Sequence, residues 1–302
     1  MIILFGNRKE YFFMDTTNQS YTTRSLTSKD GTIIGYRLLG NGPGLILVHG
    51  GMASSQHFMK LGEALSDEFT VYIPDRRGRG LSGPIGNNYS IQKEVEDLDA
   101  ILNITDAHYV FGLSSGALIS LQAALNLPVI HKITLYEPPL YIDHSLLNKF
   151  NSVMQRFDQE ISEGKIAAAL VTVLKGLGIM PSMFNLLPRF VLIRIFTRTL
   201  EEDAKKVTGD DVPLQVLVPT QHYDYQLLVE TEGTIENFKA VQAEVLLLEG
   251  SKSPLFLKDI IDALCKVLPH AKRRELFGLD HAAPTNSGKP ERVARELRRF
   301  FL

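Results

Sequence analysis

Short apolar runs alternate with amphipathic stretches along residues 32 to 137, and this alternation predicts strands interleaved with helices. The run at 44–48 is continuously apolar, which is typical of a central strand buried on both faces. Further along, Ile91, Val95 and Leu98 recur at helical spacing. The predicted strands are 32–39, 44–48, 69–73, 108–111 and 133–136, and the predicted helices are 91–102 and 115–125. Such an alternation indicates a mostly parallel sheet with right-handed crossovers.

The alternation stops at Pro138 and Pro139 and resumes only after a long interval. The intervening segment has a helical pattern and large apolar side chains, and its prolines divide it into several short helices. Beyond it the pattern predicts strands at 245–248 and 273–277 and helices at 259–268 and 291–301. We therefore predict an α/β core over residues 23–139 and 236–302, interrupted by a helical cap over residues 140–235.

The first 22 residues lack this pattern, and we expect residues 1–22 to form a disordered N-terminal extension. Their apolar start is broken by polar residues at 7–10, so no signal-peptide core is present. Translation starts at Met1 or at Met14, and the sequence does not decide between them. No apolar run reaches the ~18 residues of a membrane span. We therefore expect a cytoplasmic protein without a membrane span.

Charge and cysteine content limit the classes of partner. The chain has 32 basic and 34 acidic side chains and a net charge of −2, so no global field attracts nucleic acid or an anionic membrane. A single cysteine, Cys265, excludes a disulfide framework and a cysteine-based metal site. Without a dinucleotide fingerprint or a ligand cluster, we expect no cofactor and no metal. The expected partner is a small-molecule substrate, and the expected state is a monomer or a homodimer.

Residues 112–116 read Gly-Leu-Ser-Ser-Gly and match the Gly-x-Ser-x-Gly pattern of a nucleophile elbow. In such an elbow the serine occupies a strained turn between a strand and a helix, and small flanking residues let the backbone pass. An apolar strand precedes Ser114 and a strong helical pattern follows it, so the context fits the motif. We predict Ser114 as a catalytic nucleophile.

A loop that reads His-Gly-Gly-Met at 49–52 follows the apolar strand at 44–48. Acyl transfer needs two backbone N–H groups that donate to the oxyanion of the transition state. We predict that one belongs to Ser115, the residue after the nucleophile, and the other to Gly51 or its neighbour Met52. His49 is assigned to this loop.

Three motifs occur in order over nearly the whole chain from residue 30 onward: the His-Gly-Gly loop, the segment 75–83 and the elbow around Ser114. With these motifs the sequence resembles the α/β-hydrolase superfamily, in the branch with a helical cap between the sixth and seventh core strands. The resemblance implies the α/β-hydrolase fold, a mostly parallel twisted sheet flanked by helices with an inserted helical cap. It also implies that segment 75–83 is a tight structural turn without a catalytic role.

The general base of such a site must be a histidine, since a serine hydroxyl is a poor nucleophile until a partner removes its proton. The chain has eight histidines. In the family the catalytic histidine follows the last strand, and His281 occupies that loop just before the terminal helix. The order nucleophile, acid, histidine along the chain is also the family's order. The resemblance therefore implies His281 as the general base.

The acid departs from the family's pattern. It usually follows the seventh strand, three residues after a glycine, and here that position holds Ser253, which carries no negative charge. Some members place the acid after the sixth strand, where this chain has Glu137 at the carboxyl end of a predicted strand. We predict Glu137 as the acid that contacts His281. Glu249, or a serine–histidine pair without an acid, stays open.

The expected activity is that of a carboxylesterase-like serine hydrolase, which cleaves a small ester or related acyl compound through an acyl-enzyme on Ser114. Carbon–carbon bond hydrolysis and cofactor-free peroxidase or perhydrolase chemistry are alternatives within the same fold. An alternative of another class is a small-molecule receptor on a degraded hydrolase scaffold, which would suit the serine at position 253. The sequence does not indicate the substrate or its acyl-chain length.

The predicted cap is rich in methionine and phenylalanine. Such residues usually form the core of a cap and line an apolar pocket, which a lid shields from water. We expect Met183, Phe184 and Phe190 to influence which esters fit. Residues 222–225 either place polar groups in that pocket or lie on the surface.

Overall fold

A single sheet runs through the part of the chain that the computed structural model describes, which is residues 11–12, 21–142, 144–180, 182–184 and 186–302. Nine strands of these described residues form it: β1 (Tyr11–Phe12), β2 (Thr22–Thr27), β3 (Ile33–Leu39), β4 (Gly44–Val48), β5 (Thr70–Pro74), β6 (Tyr109–Leu113), β7 (Lys132–Tyr136), β8 (Glu244–Gly250) and β9 (Ala271–Leu276). Their order across the sheet is β1-β2-β3-β5-β4-β6-β7-β8-β9. The pairs β1–β2, β2–β3 and β3–β5 are antiparallel, and the remaining pairs are parallel.

The register of the central strands brings their carboxyl ends to one edge of the sheet. Val48 of β4 pairs with Gly112 of β6, and Leu113 pairs with Tyr136 of β7, which also pairs with Leu248 of β8. Almost every residue of these four strands is buried, as their apolar runs predict. The loops that leave these strands therefore lie side by side, at the edge where α/β proteins bind ligands.

Helices cover both faces of the sheet. The described residues contain α1 (Met59–Leu65), α2 (Ile91–Thr105), α3 (Ser115–Asn126), α4 (His144–Ser162), α5 (Ile166–Gly176), α6 (Arg189–Lys206), α7 (Leu214–Leu217), α8 (Gln221–Glu230), α9 (Leu255–Val267) and α10 (Pro290–Phe301), with short 3-10 helices at Ser55–Phe58, Ser182–Phe184, Val218–Thr220 and Ile235–Ala240. On one face, Leu98 of α2, Leu118 of α3 and Ile260 of α9 belong to one apolar core. On the other face, Leu61 of α1 and Leu297 of α10 belong to a second.

Helix α2 shows how local sequence sets the ends of an element. The Ser90 hydroxyl accepts a hydrogen bond from the Lys93 N–H and caps the amino end. The helix ends at Thr105, and the next residue, Asp106, adopts the left-handed conformation with φ of 52°. Between these ends, Val95, Leu98 and other apolar residues of one face are buried against the sheet.

Helices α4 to α8 form an insertion between β7 and β8. The insertion has an apolar core of its own, which includes Met154, Phe157, Leu170 and Val173. The predicted α/β class and its helical insertion are thus confirmed. Among the described residues, no helix is both long enough and apolar enough to cross a lipid bilayer.

The antiparallel end of the sheet was not predicted. Strand β2 is mostly polar, and Leu26 is its single fully buried residue, so it lacks the apolar run that marks the central strands. The expected disordered extension over 1–22 falls largely on residues 1–10 and 13–20, which lie outside the described part of the chain. Of its remaining residues, 11–12 belong to β1, and β2 begins at Thr22.

Candidate active site

Ser114 lies on the turn between β6 and α3, with φ of 54° and ψ of −126°. The glycines on either side are required by close backbone approach. A methyl group on Gly112 would lie 2.4 Å from the Gly116 carbonyl oxygen, and one on Gly116 would lie 2.3 Å from the Val48 carbonyl oxygen. The sequence Gly-x-Ser-x-Gly therefore adopts the sharp strand-to-helix turn that the motif predicts.

Backbone strain is concentrated in this region. The non-glycine residues with positive φ in the described chain are Met52, Asn88, Asp106, Ser114 and Glu137. Asparagine and aspartate adopt this conformation comparatively readily, whereas methionine, serine and glutamate seldom do. The three residues of these unfavoured types all follow carboxyl ends of the central strands. Strain of this kind is retained mainly at functional sites, where the surrounding structure enforces it.

Glu137 and His281 are in direct contact. The Nδ1–H of His281 donates to Oε2 of Glu137 at 2.5 Å, and the Gly250 N–H donates to Oε1 of Glu137 at 2.7 Å. The Glu137 side chain is fully buried, and 19% of the His281 side chain is exposed. Because an ionised carboxylate only accepts hydrogen bonds, the contact places the histidine proton on Nδ1 and leaves Nε2 free to accept.

The other acidic residues near the histidine have different partners. Oε1 of Glu249 accepts a hydrogen bond from Nε of Arg273 at 2.6 Å. Oδ1 of Asp280 accepts a hydrogen bond from the Ala282 N–H at 3.1 Å, so this carboxylate caps the turn that contains it. The Ser253 hydroxyl is buried and has no hydrogen-bond partner in the described part of the chain. Glu137, and none of these three residues, forms the side-chain hydrogen bond with His281 in the described part of the chain.

Ser114 and His281 open onto a shared cavity of about 200 Å³ between the sheet edge and the insertion. Its apolar lining from the insertion and the adjacent helix consists of Phe150, Met154, Leu177, Ile179, Leu228, Phe256 and Leu257. Gln221, Tyr225 and Thr285 are its neutral polar residues apart from the two elbow serines. No hydrogen bond joins the Ser114 hydroxyl to the His281 ring among the described residues, and such bonds are often long before substrate binds.

Two groups of backbone N–H donors face the same cavity. Ser115 is the first residue of α3, so its N–H has no acceptor within the helix, and the positive end of the helix dipole lies there. The N–H groups of Gly51 and Met52 donate no hydrogen bond to any described residue. Gly51, Met52 and Ser115 all line the cavity.

His49 holds the loop that carries these donors. Its ring is fully buried, with Nδ1 2.9 Å from the Gly50 carbonyl oxygen, and its Nε2 accepts from the Arg76 N–H at 3.2 Å. Burial, followed by the charges of Arg79 and Arg76, holds the pKa of His49 well below its ordinary value. A neutral histidine with both nitrogens occupied fits a structural role in this loop.

The model of the α/β hydrolase fold family matches residues 43–284, a range that includes the elbow and the Glu137–His281 pair. The chain belongs to the α/β-hydrolase fold family. This α/β-hydrolase is similar to the crystal structure of an alpha/beta hydrolase from Sphaerobacter thermophilus DSM 20745, with a TM-score of 0.73 and 27% identity. The similarity covers 92% of this chain and 100% of that chain.

Curated relatives match this α/β-hydrolase over shorter segments. The uncharacterized hydrolase YraK of Bacillus subtilis (strain 168) is 35% identical over 115 residues, which are 36% of this chain and 42% of that protein. The pimeloyl-[acyl-carrier protein] methyl ester esterase of Shewanella oneidensis is 36% identical over 107 residues, which are 34% of this chain and 38% of that protein. The matched segments thus span about two fifths of either relative.

The segment 75–83 has the structural contacts that the resemblance implies. The buried Asp75 carboxylate accepts hydrogen bonds from the N–H groups of Ser55 and Leu81, at 2.5 and 2.9 Å. Asp75 thereby ties the turn to the loop that follows β4. Two arginines of the same segment, Arg76 and Arg79, extend toward the insertion.

The sequence left open whether residues 222–225 line the pocket, and it gave no role to the residue of this segment that meets these arginines. Asp224 of α8 lines the cavity, is buried and contacts Arg76, Arg79 and Ser115. Within segment 222–225, Tyr225 also lines the cavity, whereas His222 is largely exposed. No local pattern marks Asp224, because its partners lie more than a hundred residues earlier in the chain.

The expectation for the apolar residues of the insertion was wrong in part. Met183 and Phe190 are exposed and do not line the cavity, and Phe184 packs against Phe196 instead. Hydrophobicity alone does not tell which side of a short helix faces the cavity. The lining comes from residues 150, 154, 177 and 179 and from α8.

Proposed function

We propose that this α/β-hydrolase is a serine esterase with Ser114 as nucleophile, His281 as general base and Glu137 as the acid that orients the histidine. The observation that carries the proposal is the 2.5 Å hydrogen bond between Glu137 and His281, next to a serine held at positive φ. This arrangement fits the logic of a catalytic triad, in which the carboxylate selects the tautomer and stabilises the imidazolium.

The reaction proceeds in two steps. Nε2 of His281 takes the proton of the Ser114 hydroxyl as its oxygen attacks the ester carbonyl carbon. The N–H of Ser115 and that of Gly51, or of its neighbour Met52, donate to the resulting oxyanion. The ester C–O bond then breaks, and the leaving alcohol takes the proton from His281. A water molecule attacks the acyl-enzyme in the same way and releases the carboxylic acid and free Ser114.

The lining of the cavity favours an uncharged substrate with an apolar acyl or alcohol group. His281 and Asp224 are the only described lining residues of acidic or basic type apart from the phenol of Tyr225, and neither lysine nor arginine is among them. A substrate carboxylate would therefore lose its hydration without gaining a cationic partner. The insertion covers this cavity as a cap and shields the acyl-enzyme from bulk water.

The relatives support ester hydrolysis in general terms. One curated relative is named as a methyl ester esterase, and the shared segment is too short to carry its substrate to this chain. Carbon–carbon bond hydrolysis and perhydrolysis would use the same three residues. The receptor alternative was suggested by the serine at position 253, where the acid of the family usually lies. Glu137 supplies a carboxylate to His281 from another strand, and a receptor would not require such a contact.

Labelling with a fluorophosphonate probe tests the proposal. We expect the wild-type protein to gain one label, located by peptide mass spectrometry on Ser114 and not on the adjacent Ser115. Ser114→Ala should lose the label. Ser120→Ala should keep it, since Ser120 is buried in the same helix and donates to the Gly116 carbonyl away from the cavity. A folded wild-type protein that fails to label would contradict the esterase mechanism.

A further inference from the structure

We propose that Asp224, a residue of the helical insertion, positions the oxyanion hole by holding Ser115 and Gly51 in register. The inference rests on the proposed function, because it concerns the same two N–H donors. The insertion would then contribute to the alignment of the catalytic groups as well as cover the cavity. Asp224 touches no substrate atom in this account and is a positioning residue.

The Asp224 carboxylate lies against both sides of the hole. The Ser115 hydroxyl donates to Oδ1 of Asp224 at 2.6 Å. On the other side, a methyl group placed on Gly51 would be 2.5 Å from Oε1 of Gln221 and 3.3 Å from the Asp224 carboxylate carbon, so both side chains of α8 lie close to Gly51 and leave no room for a side chain there. The Asp224 carboxylate thus lies between the Ser115 hydroxyl, which it binds, and Gly51, which it approaches together with Gln221.

Two arginines fix the carboxylate itself. Nη1 of Arg76 donates to Oδ1 of Asp224 at 2.6 Å and to the Ser115 hydroxyl oxygen at 3.2 Å. Nη2 of Arg79 donates to Oδ2 at 2.5 Å, and its Nε donates to the Thr220 hydroxyl at 3.1 Å. All of these side chains are buried. Rotation of Asp224 would leave buried charges unpaired, which is costly, so the group is held in one orientation.

The charges of the cluster balance. Burial alone would raise the pKa of Asp224, but the charges of Arg76 and Arg79 and the Ser115 hydrogen bond outweigh it and hold that pKa below its ordinary value. The far side of Arg76 is paired with Glu94 at 2.8 Å. Two carboxylates thus face two guanidinium groups, and the anion next to the hole does not present an uncompensated negative field to the oxyanion.

A purely structural role for the cluster makes a different prediction from a positioning role. If Asp224 only anchors α8 to the core, its loss lowers stability and affects every substrate alike. If it positions the hole, its loss weakens stabilisation of the oxyanion specifically. Sulfur is larger than oxygen and accepts hydrogen bonds weakly, so an aligned hole favours an oxygen ester over the matching thionoester. The ratio of kcat/KM for these two substrates reports alignment and is independent of the folded fraction.

The experiment compares 4-nitrophenyl acetate with its thionoester for three variants and the wild type. Asp224→Asn keeps the shape and removes the charge, and Ser115→Ala removes only the hydroxyl contact. Asp97→Asn is the matched control. Asp97 of α2 is buried and pairs with Arg77, which lies in segment 75–83 next to Arg76, and Asp97 is not among the cavity-lining residues. Thermal unfolding by circular dichroism gives the stability of each variant.

We expect Asp224→Asn to lower kcat on the oxygen ester by about 10- to 100-fold with KM changed less than about two-fold, and to lower the oxygen-to-sulfur ratio at least about five-fold. Ser115→Ala should shift the ratio in the same direction by a smaller factor and remains informative if Asp224→Asn does not fold. Asp97→Asn should lower the melting temperature and leave the ratio unchanged. A wild-type ratio in both Asp224→Asn and Ser115→Ala, or an equal shift in Asp97→Asn, overturns the positioning role alone. A wild-type protein without esterase activity or Ser114 labelling overturns the proposed function as well.

Discussion

Glu137 follows β7, one strand before the usual position of the acid in this family, yet its carboxylate accepts the Nδ1–H of His281 at 2.5 Å. The strand register explains how it reaches. Tyr136 pairs with Leu248, so Glu137 emerges beside the end of β8, and the Gly250 N–H donates to its second oxygen. Ser253 lies where the family's usual acid would be, and its hydroxyl is buried without a partner among the described residues.

Removal of the negative charge from Glu137 tests this arrangement. Glu137→Gln should lower kcat on short 4-nitrophenyl esters by roughly 10²- to 10⁴-fold with little change in KM, because the imidazolium loses its stabilising partner. Glu249→Gln is the control, since Glu249 is also buried and its carboxylate pairs with Arg273. Near-normal turnover in Glu137→Gln would exclude Glu137 as the catalytic acid.

The acyl-chain preference should depend on residues that line the cavity. Leu177→Ala enlarges the cavity at a half-buried position, and we expect it to improve kcat/KM for longer acyl chains relative to the acetate ester by about three-fold or more. Met183→Ala should leave the chain-length profile unchanged, because Met183 is exposed. Equal shifts in both variants, measured across a series of 4-nitrophenyl esters, would place the substrate elsewhere.

Close packing of the elbow against the loop after β4 predicts that Gly116 tolerates no side chain. In Gly116→Ala the methyl group would lie 2.3 Å from the Val48 carbonyl oxygen and 2.5 Å from that of His49, which must displace the donor loop. We expect fluorophosphonate labelling to slow by about 10²-fold or more. Gly83→Ala, where the nearest atom is 3.4 Å away, should label at the normal rate. Equal labelling rates for the two variants would contradict the packing account.

His49 should make the fold sensitive to acid. Burial, followed by the charges of Arg79 and Arg76, lowers its pKa in the folded state, whereas unfolding restores the ordinary value of 6.5. Below that value the unfolded chain binds a proton that the folded chain does not, so the free energy of unfolding falls as the pH drops, by up to about 1.4 kcal/mol per pH unit for this group.

Urea unfolding at about pH 7.5 and about pH 5.5 measures this effect. His49→Gln should lose less stability between the two conditions than the wild type, because glutamine does not titrate. His270→Gln alters an exposed histidine and should follow the wild type. The same pH dependence in all three proteins would show that His49 binds its proton equally well in the folded state.

The core of the fold was predictable because its central strands are continuous apolar runs and the helices between them are amphipathic. Strand β2 lacks such a run, since a strand near the sheet edge buries few side chains. Ser114 could be proposed from the elbow motif between a predicted strand and a predicted helix, whereas His281 and Glu137 were implied by the resemblance to the α/β-hydrolases. Their catalytic roles stay predictions until they are measured.

Asp224 could not be proposed in the same way. Its contacts with Arg76 and Ser115 join the insertion to the core across 148 and 109 positions of the chain. Such contacts depend on how the insertion packs against the core, and the spacing of residues within a short segment does not indicate that packing. The same cause explains Met183 and Phe190, whose hydrophobicity suggested a lining role although both are exposed.

The most direct test of the central claim is the kcat/KM of Ser114→Ala on short 4-nitrophenyl esters, measured with protein whose circular dichroism spectrum matches that of the wild type. Loss of the nucleophile should lower ester hydrolysis by on the order of 10⁴-fold or more while the fold persists. Retention of more than about a tenth of the wild-type activity would contradict Ser114 as the nucleophile, and with it the esterase mechanism.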